Sequence, residues 1–235
     1  MISRATDILR VLGQETAGLS LGQIANRVDL PRSTVQRIVA ALALEGFISI
    51  DGGNAGIKLG PEIQSLAQAR SGAIRDRLRP LMKQISEATG ETVDLAVLEG
   101  HRMRFIDQII GSQRLRTVSS IGESFPLTTT ANGKAALARF HPTEATKLII
   151  TEFEDRPDDA RDLPSLLAEI DGIRAGGLAR DENEHTEGVS AFGFAISEPG
   201  SGIYAISVPV PTSRFARKEA ELKATLNTLR AGYEN

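Results

Sequence analysis

The chain has no cysteine among its 235 residues. Disulfides, thiolate metal sites and cysteine nucleophiles are therefore excluded together. Long apolar runs are also missing, and none approaches the roughly 20 residues that a membrane helix needs. The first ten residues, MISRATDILR, lack the apolar core of a signal peptide. These absences predict a cytoplasmic protein without a membrane partner.

A strong net charge is absent as well. The formal charge is −3, and hydrophobic residues make up 41% of the chain, as in a globular protein. Residues 1–60 hold six basic and five acidic residues. This small excess of positive charge is weak for a single DNA-binding module, so affinity would require two copies of the chain or a strong local patch of positive charge. We therefore expect a homodimer or a homotetramer.

Two short helical patterns occupy the stretch from Ser20 to Glu45, SLGQIANRVDLPRSTVQRIVAALALE. In each pattern the apolar residues recur with the spacing of one helix face. Ser20 and Gln23 predict a capping box at the start of the first helix, and Pro31 suits the first turn of the second. The apolar residues are Leu21, Ile24, Ala25 and Val28 in the first pattern, and Val35, Ile38, Val39 and Leu42 in the second.

The outward face of the second helix is polar and cationic, which suits a DNA groove. Phe47–Ile50 and Ile57–Leu59 are strand-like, and the turn-forming residues 51–54 lie between them. Two helices followed by such a hairpin describe a winged helix, although helix pairs of this kind also occur in ordinary bundles or bind protein. The predicted DNA-binding residues are Arg32, Ser33, Thr34, Gln36, Arg37 and Lys58.

The remainder of the chain predicts an α+β architecture. We expect a winged helix-turn-helix domain at residues 1–60, a linker helix at 61–73 that ends at Ser71-Gly72, and a second domain at 74–235. The second domain alternates helices with strands, which predicts an antiparallel sheet with flanking helices and a concave pocket. The predicted strands cover residues 92–98, 102–110, 114–119, 190–196 and 203–208, and the predicted charged loops cover residues 152–162 and 181–187.

Motifs for catalysis or cofactor binding are missing. No G-x-S-x-G elbow, P-loop or dinucleotide fingerprint occurs. We therefore expect no enzyme and no cofactor, although a small-acid hydrolase or isomerase could draw on Ser190, Ser197, Ser207, His185 and Asp181. The acidic residues around His185 are of metal-ligand type, but a solvated charged loop without a metal is the expected structure there.

Three segments of the second domain carry a family resemblance. They are TANGKAALA at Thr130–Ala138, GLARDENEHTEGVSAFGFAI at Gly177–Ile196, and AISVPVPTSRF at Ala205–Phe215. Together with the winged helix and the linker helix, they resemble the isocitrate lyase regulator (IclR) family of bacterial transcription factors. The resemblance implies a GAF-like sensor domain that represses or activates nearby genes in response to a small, usually acidic metabolite.

The resemblance also implies an effector pocket. Its amides would come from Ala131 and Asn132 at a helix start, which suits a carboxylate. Asp181 would supply the family's acid, whereas Ala191 stands where a cysteine often occurs. Of two serines in the last strand, Ser207 is present and Pro209 replaces the other. This loss of polar groups leads to the hypothesis of a larger, aromatic acid, with Val118, Ile121 and Leu127 as apolar walls.

Overall fold

The computed structural model describes residues 2–15, 17–50, 56–157, 161–198 and 202–234. The chain divides into two compact units, Met1–Ala73 and Ile74–Asn235. The helices are α1 Ile2–Gly13, α2 Leu21–Val28, α3 Arg32–Leu44, α4 Pro61–Thr89, α5 Ala131–Leu137, α6 Pro142–Asp155, α7 Leu163–Arg174 and α8 Thr212–Glu234. The strands are β1 Ile48–Ile50, β2 Ile57–Leu59, β3 Val93–Glu99, β4 Arg102–Ile109, β5 Ser124–Phe125, β6 Ala179–Glu182, β7 Val189–Glu198 and β8 Gly202–Pro211.

The first unit is the expected helix-turn-helix with a hairpin. Apolar residues of α1, α2 and α3 form its core with Ile48 of β1 and Ile57 of β2, which pair as antiparallel strands. The predicted capping box is confirmed, because the Ser20 hydroxyl accepts a hydrogen bond from the Gln23 amide at 3.3 Å, and the Gln23 side chain accepts one from the Ser20 amide at 2.8 Å. Pro31 precedes α3 as its N-terminal cap residue.

The predicted helix end at Ser71-Gly72 is wrong, because α4 is continuous from Pro61 to Thr89. A glycine inside a helix costs only about 1 kcal/mol. The apolar stripe that follows, with Leu78, Met82 and Ile85 fully buried, offsets that cost by packing into a core. The predicted domain limits at residues 60 and 73 remain predictions.

The second unit contains a six-stranded antiparallel sheet in the order β5-β4-β3-β8-β7-β6. The predicted hairpin is confirmed, and β7 and β8 are longer than expected, with Ser207 opposite Gly193 and Pro209 opposite Ala191. This antiparallel sheet with packed helices confirms the predicted α+β class. None of the described helices is both long enough and apolar enough to cross a bilayer.

Three local predictions in this unit are wrong. Residues 114–119 form no strand, because side chains rather than a backbone ladder hold them: Thr117 donates a hydrogen bond to the Pro209 carbonyl at 3.1 Å. The predicted acidic loop begins inside β6, where pairing with β7 overrides the poor strand propensity of Asp181 and Glu182. Glu152 lies in α6 and is buried, because the amides of Leu127 and Thr128 donate hydrogen bonds to its carboxylate.

The two faces of the sheet carry side chains of different size. One face presents large residues, including Leu95, Phe194 and Tyr204, which belong to the same core cluster as residues of α4 and α8. The other face is rich in alanine, at Ala96 and Ala195 among others, and shares a core cluster with α5. Small side chains let α5 approach the sheet closely.

Candidate functional site

The exposed face of α3 is the first candidate site. Arg32, Ser33, Gln36 and Arg37 are exposed, while Val35 between them is buried. Thr34 is half-buried, and its amide donates a hydrogen bond to the Pro31 carbonyl at 2.9 Å. One helix therefore brings the four predicted surface residues together, because its 3.6-residue period turns them all away from the core.

The hairpin supplies the remaining predicted DNA contact. Lys58 is half-buried at the middle of β2, opposite Ser49 of β1. The predicted wing tip, residues 51–54, lies outside the described residues. Lys58 therefore belongs to a different element from the α3 face, although both belong to the same unit.

A cavity of about 250 Å³ in the second unit is the second candidate site. It lies on the alanine-rich side of the sheet, beside the start of α5. The residues that line it come from β3 to β8, from the loops between them, and from α5. They are Asp94, Phe105, Thr117, Val118, Ser119, Glu123, Phe125, Thr130, Ala131, Asn132, Asp181, His185, Thr186, Val189, Ala191, Ser207 and Pro209.

Six of the eight residues predicted from the resemblance line this cavity: Val118, Ala131, Asn132, Asp181, Ala191 and Ser207. The structure does not bring the other two to it. Leu127 is 0% exposed and packs in the core that includes α5, whereas Ile121 is 64% exposed in a turn before β5. An apolar residue in an irregular segment has no sequence periodicity that would show which way it faces.

The start of α5 is held tightly against its surroundings. The Thr130 hydroxyl accepts a hydrogen bond from the Gly133 amide at 3.1 Å and donates one to the Pro126 carbonyl at 2.7 Å. A Cβ on Gly133 would lie 2.4 Å from the Cα of Leu127, and one on Gly193 would lie 3.3 Å from the Ala131 carbonyl. Glycine at both positions therefore lets Ala131 and Asn132 reach the cavity wall.

Asp181 is a buried acid of the cavity. It is 6% exposed, and burial raises its pKa to about 6. Its carboxylate accepts a hydrogen bond from the Glu184 amide at 3.0 Å, which ties β6 to the following loop. The pairing of Asp181 with Ala191 in the sheet fixes the position of its backbone.

A buried ion-pair network anchors the same loop. The Lys134 ammonium is 0% exposed and lies 2.6 Å from the Glu169 carboxylate and 2.8 Å from that of Glu184. Arg161 lies 2.6 Å from Glu184 as well. The network therefore connects α5, α7 and the loop after β6, which supports the position of Asp181.

Asp94 is the main cavity residue that the sequence analysis missed. It is 1% exposed, and it accepts hydrogen bonds from the Gln108 side chain at 2.6 Å and from the Ser119 hydroxyl at 2.9 Å. Burial raises its pKa to about 6. The available signal was the single aspartate within the apolar strand TVDLAVL, because a charged residue is seldom buried unless it has a partner.

Aromatic side chains were missed too. The rings of Phe105 and Phe125 stack with centroids 4.5 Å apart, and His185 meets Phe125 edge-on at 5.1 Å. Of the residues of the hydrolase alternative, Asp181, His185 and Ser207 line this cavity. The Ser190 hydroxyl lies 2.9 Å from that of Thr212, and Ser197 is exposed. The cavity offers hydrogen-bonding groups and apolar contact to a small molecule.

Comparisons with known proteins agree with the geometry. Residues 67–232 match the C-terminal domain of the bacterial transcriptional regulator IclR, and residues 1–52 match the IclR helix-turn-helix domain. The chain is 39% identical over 227 residues to the HTH-type transcriptional regulator Rv1719 of Mycobacterium tuberculosis, covering 96% of this chain and 88% of that protein. It is 34% identical over 237 residues to the HTH-type transcriptional regulator TtgV of Pseudomonas putida, covering 98% and 91%.

Solved structures share the fold. The crystal structure of Thermotoga maritima IclR matches with a TM-score of 0.61 at 24% identity, covering 97% of this chain and 94% of that chain. A putative IclR regulator from Silicibacter sp. TM1040 matches with a TM-score of 0.63 at 24% identity, covering 97% and 92%. The curated relatives are named as regulators and not as enzymes. The chain is therefore a DNA-binding transcriptional regulator, not an enzyme, and it belongs to the IclR family.

Proposed function

We propose that this regulator binds double-stranded operator DNA through α3 and that a small molecule in the 250 Å³ cavity controls that binding. The observation that carries the DNA assignment is the α3 face, on which Arg32, Ser33, Gln36 and Arg37 are exposed together. Two arginines and two uncharged polar side chains on one helix suit phosphates and base edges. Thr34 is half-buried, so we assign it a local role beside that face.

The charge of residues 1–60 supports binding as a homo-oligomer. Six basic residues against five acidic ones give one module little attraction for DNA. Two copies on half-sites about 34 Å apart would bind far more tightly than one. We propose a homodimer or a homotetramer as the active species, located in the bacterial cytoplasm with the DNA.

For the effector we predicted an organic acid with an aromatic body. The apolar and aromatic lining, with Phe105, Phe125 and Val118, supports an aromatic body. The amides at the start of α5 support a carboxylate, whereas the buried carboxylates of Asp94 and Asp181 oppose one. Since one related Escherichia coli protein is named as the repressor AllR, we propose repression as the sense of control.

We propose that α4 transmits the effect of the ligand. This helix includes residues of both units, since the boundary between them follows Ala73. A small change in α4 could alter the distance between two α3 faces in an oligomer. Operators with altered half-site spacing would test this, because ligand should then change the preferred spacing, and an unchanged preference would contradict it.

The test of the DNA assignment uses DNA from upstream of the regulator's own gene. Binding of the full chain is measured by fluorescence anisotropy against unrelated DNA of equal length. The Arg32→Ala/Arg37→Ala double variant should lose specific binding while its thermal unfolding is unchanged. Arg10→Ala removes an exposed arginine that pairs with Asp7 in α1 and is the matched control. Equal binding by the double variant and the control would refute the assignment.

A further inference from the structure

The ionisable residues that line the cavity are acids, apart from one histidine. Three of them are acids, namely Asp94, Glu123 and Asp181, and the fourth is His185. No lysine or arginine is among the described residues that line the cavity. A ligand with a negative charge would therefore meet like charges from three acids, without a lysine or arginine of the described lining as counter-ion.

The lysine that acts electrostatically on Asp181 is already paired with other acids. Lys134 influences Asp181 electrostatically, but its ammonium is buried between Glu169 and Glu184 at 2.6 and 2.8 Å. Arg161 lies 2.6 Å from Glu184. Because these cations are paired with glutamates outside the cavity lining, a ligand carboxylate would have to compete with two protein carboxylates for them.

Asp94 and Asp181 have the chemistry of hydrogen-bond acceptors for a ligand. Each is almost fully buried, and each carboxylate has four lone-pair positions. Asp94 uses two of them for Gln108 and Ser119, and Asp181 accepts hydrogen bonds from the backbone of Glu184 and of His185. Both aspartates therefore keep acceptor capacity, which a donor group on the ligand would use.

The rest of the lining suits an aromatic body. Phe105 and Phe125 stack on one another, and Val118, Val189 and Pro209 add aliphatic surface. The hydroxyls of Ser119 and Ser207 add groups that donate or accept. A pocket that is largely apolar with a few polar groups typically selects a ligand by the position of those groups.

We propose that the effector is an aromatic molecule without negative charge whose hydroxyl or amine group donates hydrogen bonds to Asp94 and Asp181. This inference rests on the proposed control of operator binding by a cavity ligand. The family resemblance implies a ligand with a carboxylate. The proposed ligand has a hydrogen-bond donor in place of the carboxylate and keeps the aromatic ring. Specificity then comes from two buried acids that repel aromatic acids of the same shape.

Three probes of nearly equal size test the charge directly: benzyl alcohol, benzylamine and benzoate. Their binding to the full chain is measured by calorimetry and ligand-observed NMR at pH 7.5. The alcohol or the amine should bind at least tenfold more tightly than benzoate, and the ratio between those two shows whether the preferred donor is neutral or cationic. Benzoate should gain affinity at pH 5, where Asp94 and Asp181 become protonated and can themselves donate.

Variants that remove the negative charge of one aspartate test whether Asp94 and Asp181 cause the preference for ligands without negative charge. Asp94→Asn and Asp181→Asn should each weaken the tighter-binding of benzyl alcohol and benzylamine at least fivefold and strengthen benzoate at pH 7.5. Asp171→Asn removes an exposed acid of α7 that does not line the cavity, and it should leave all three affinities unchanged. Thermal unfolding of each variant establishes that it is folded.

The outcomes separate this inference from the proposed function. If benzoate binds the unmodified chain more tightly than both other probes at pH 7.5, the inference is overturned, while an effect of benzoate on operator binding would still support control by a cavity ligand. Failure of all three probes to bind also contradicts the inference. If the alcohol or amine binds as expected but operator affinity stays constant at saturation, the ligand class stands and the proposed function fails.

Discussion

The α3 face and the cavity differ in how many parts of the chain build them. The α3 face uses residues from six consecutive positions of one helix, and its exposure follows from the burial of Val35 and Val39. The cavity draws on six strands, one helix start and several loops. A change in the α3 face should therefore alter DNA binding alone, whereas a change in the cavity should also alter folding.

The largest effect that would sharpen this comparison is expected from Gly133→Ala. The added Cβ would lie 2.4 Å from the Leu127 Cα and 2.5 Å from its carbonyl oxygen, so the backbone would have to move. We expect a loss of about 3 kcal/mol in the free energy of unfolding, measured by urea denaturation. Gly172→Ala is the control, because nothing lies within 4 Å of its Cβ and the helix should gain about 0.5–1 kcal/mol. Equal stability of the two variants would show that α5 is not tightly held.

Arg37→Ala tests the other side of the comparison. Arg37 is exposed, so the variant should unfold like the unmodified chain. Operator affinity should fall by about 1–3 kcal/mol if the guanidinium is bidentate to a guanine. Gel shifts with operator variants measure this, and a loss equal for all sequences would assign Arg37 to phosphate instead. Unchanged affinity would remove it from the interface.

Asp94→Asn tests how much the buried negative charge of Asp94 lowers the stability of the fold. Burial raises the folded-state pKa of Asp94 from 3.8 to about 6, so the native state binds the proton more tightly than the unfolded state. Its contribution to stability is present below about pH 4 and is lost as the pH rises through 6. The variant should therefore be more stable than the unmodified chain by about 1–2 kcal/mol at pH 7.5, and the two should converge at pH 4. A difference that does not depend on pH would contradict the burial of this charge.

The smallest effect is expected from Lys58→Ala. A lysine that contacts phosphate contributes little sequence preference, so affinity should fall slightly and equally for all operators. The slope of log K against log salt should decrease in magnitude by about one, as measured by anisotropy between low and moderate salt. Arg4→Ala, in α1, is the control and should leave the slope as it is. An unchanged slope for Lys58→Ala would show that β2 does not contact DNA.

The first unit was largely predictable because its information is local. The apolar period placed Val35 and Val39 inside, and Ser20 with Gln23 marked a helix start. Residues three or four positions apart share a helix face, so the exposure of a side chain can be predicted from residues close to it in the sequence. The continuity of α4 was not predictable, because burial of Leu78 and Met82 outweighs the unfavourable Gly72.

Residues of the cavity could be predicted only where they lie in the segments that resemble the IclR family. Asp181, Ala191 and Ser207 came from that resemblance, whereas Asp94 did not. Asp94 stands opposite Ser207 across two strands that are more than 100 residues apart in the chain. Such a pairing depends on sheet register, which periodicity does not encode. Phe125 was missed for a related reason, since a short strand brings it beside His185 of a loop distant in the sequence.

The most direct measurement of control by the cavity is operator affinity of the full chain, by fluorescence anisotropy, with and without a saturating cavity ligand. The ligand is the probe that binds most tightly of the three. The same measurement is made on Ala191→Leu, whose larger side chain narrows the cavity, and on Ala191→Ser, which is the matched conservative control. Reciprocal coupling between two sites typically changes affinity by about 5–150-fold. We predict a change of at least fivefold in the unmodified chain and in Ala191→Ser, and none in Ala191→Leu. Constant operator affinity while the ligand saturates the cavity would contradict the central claim.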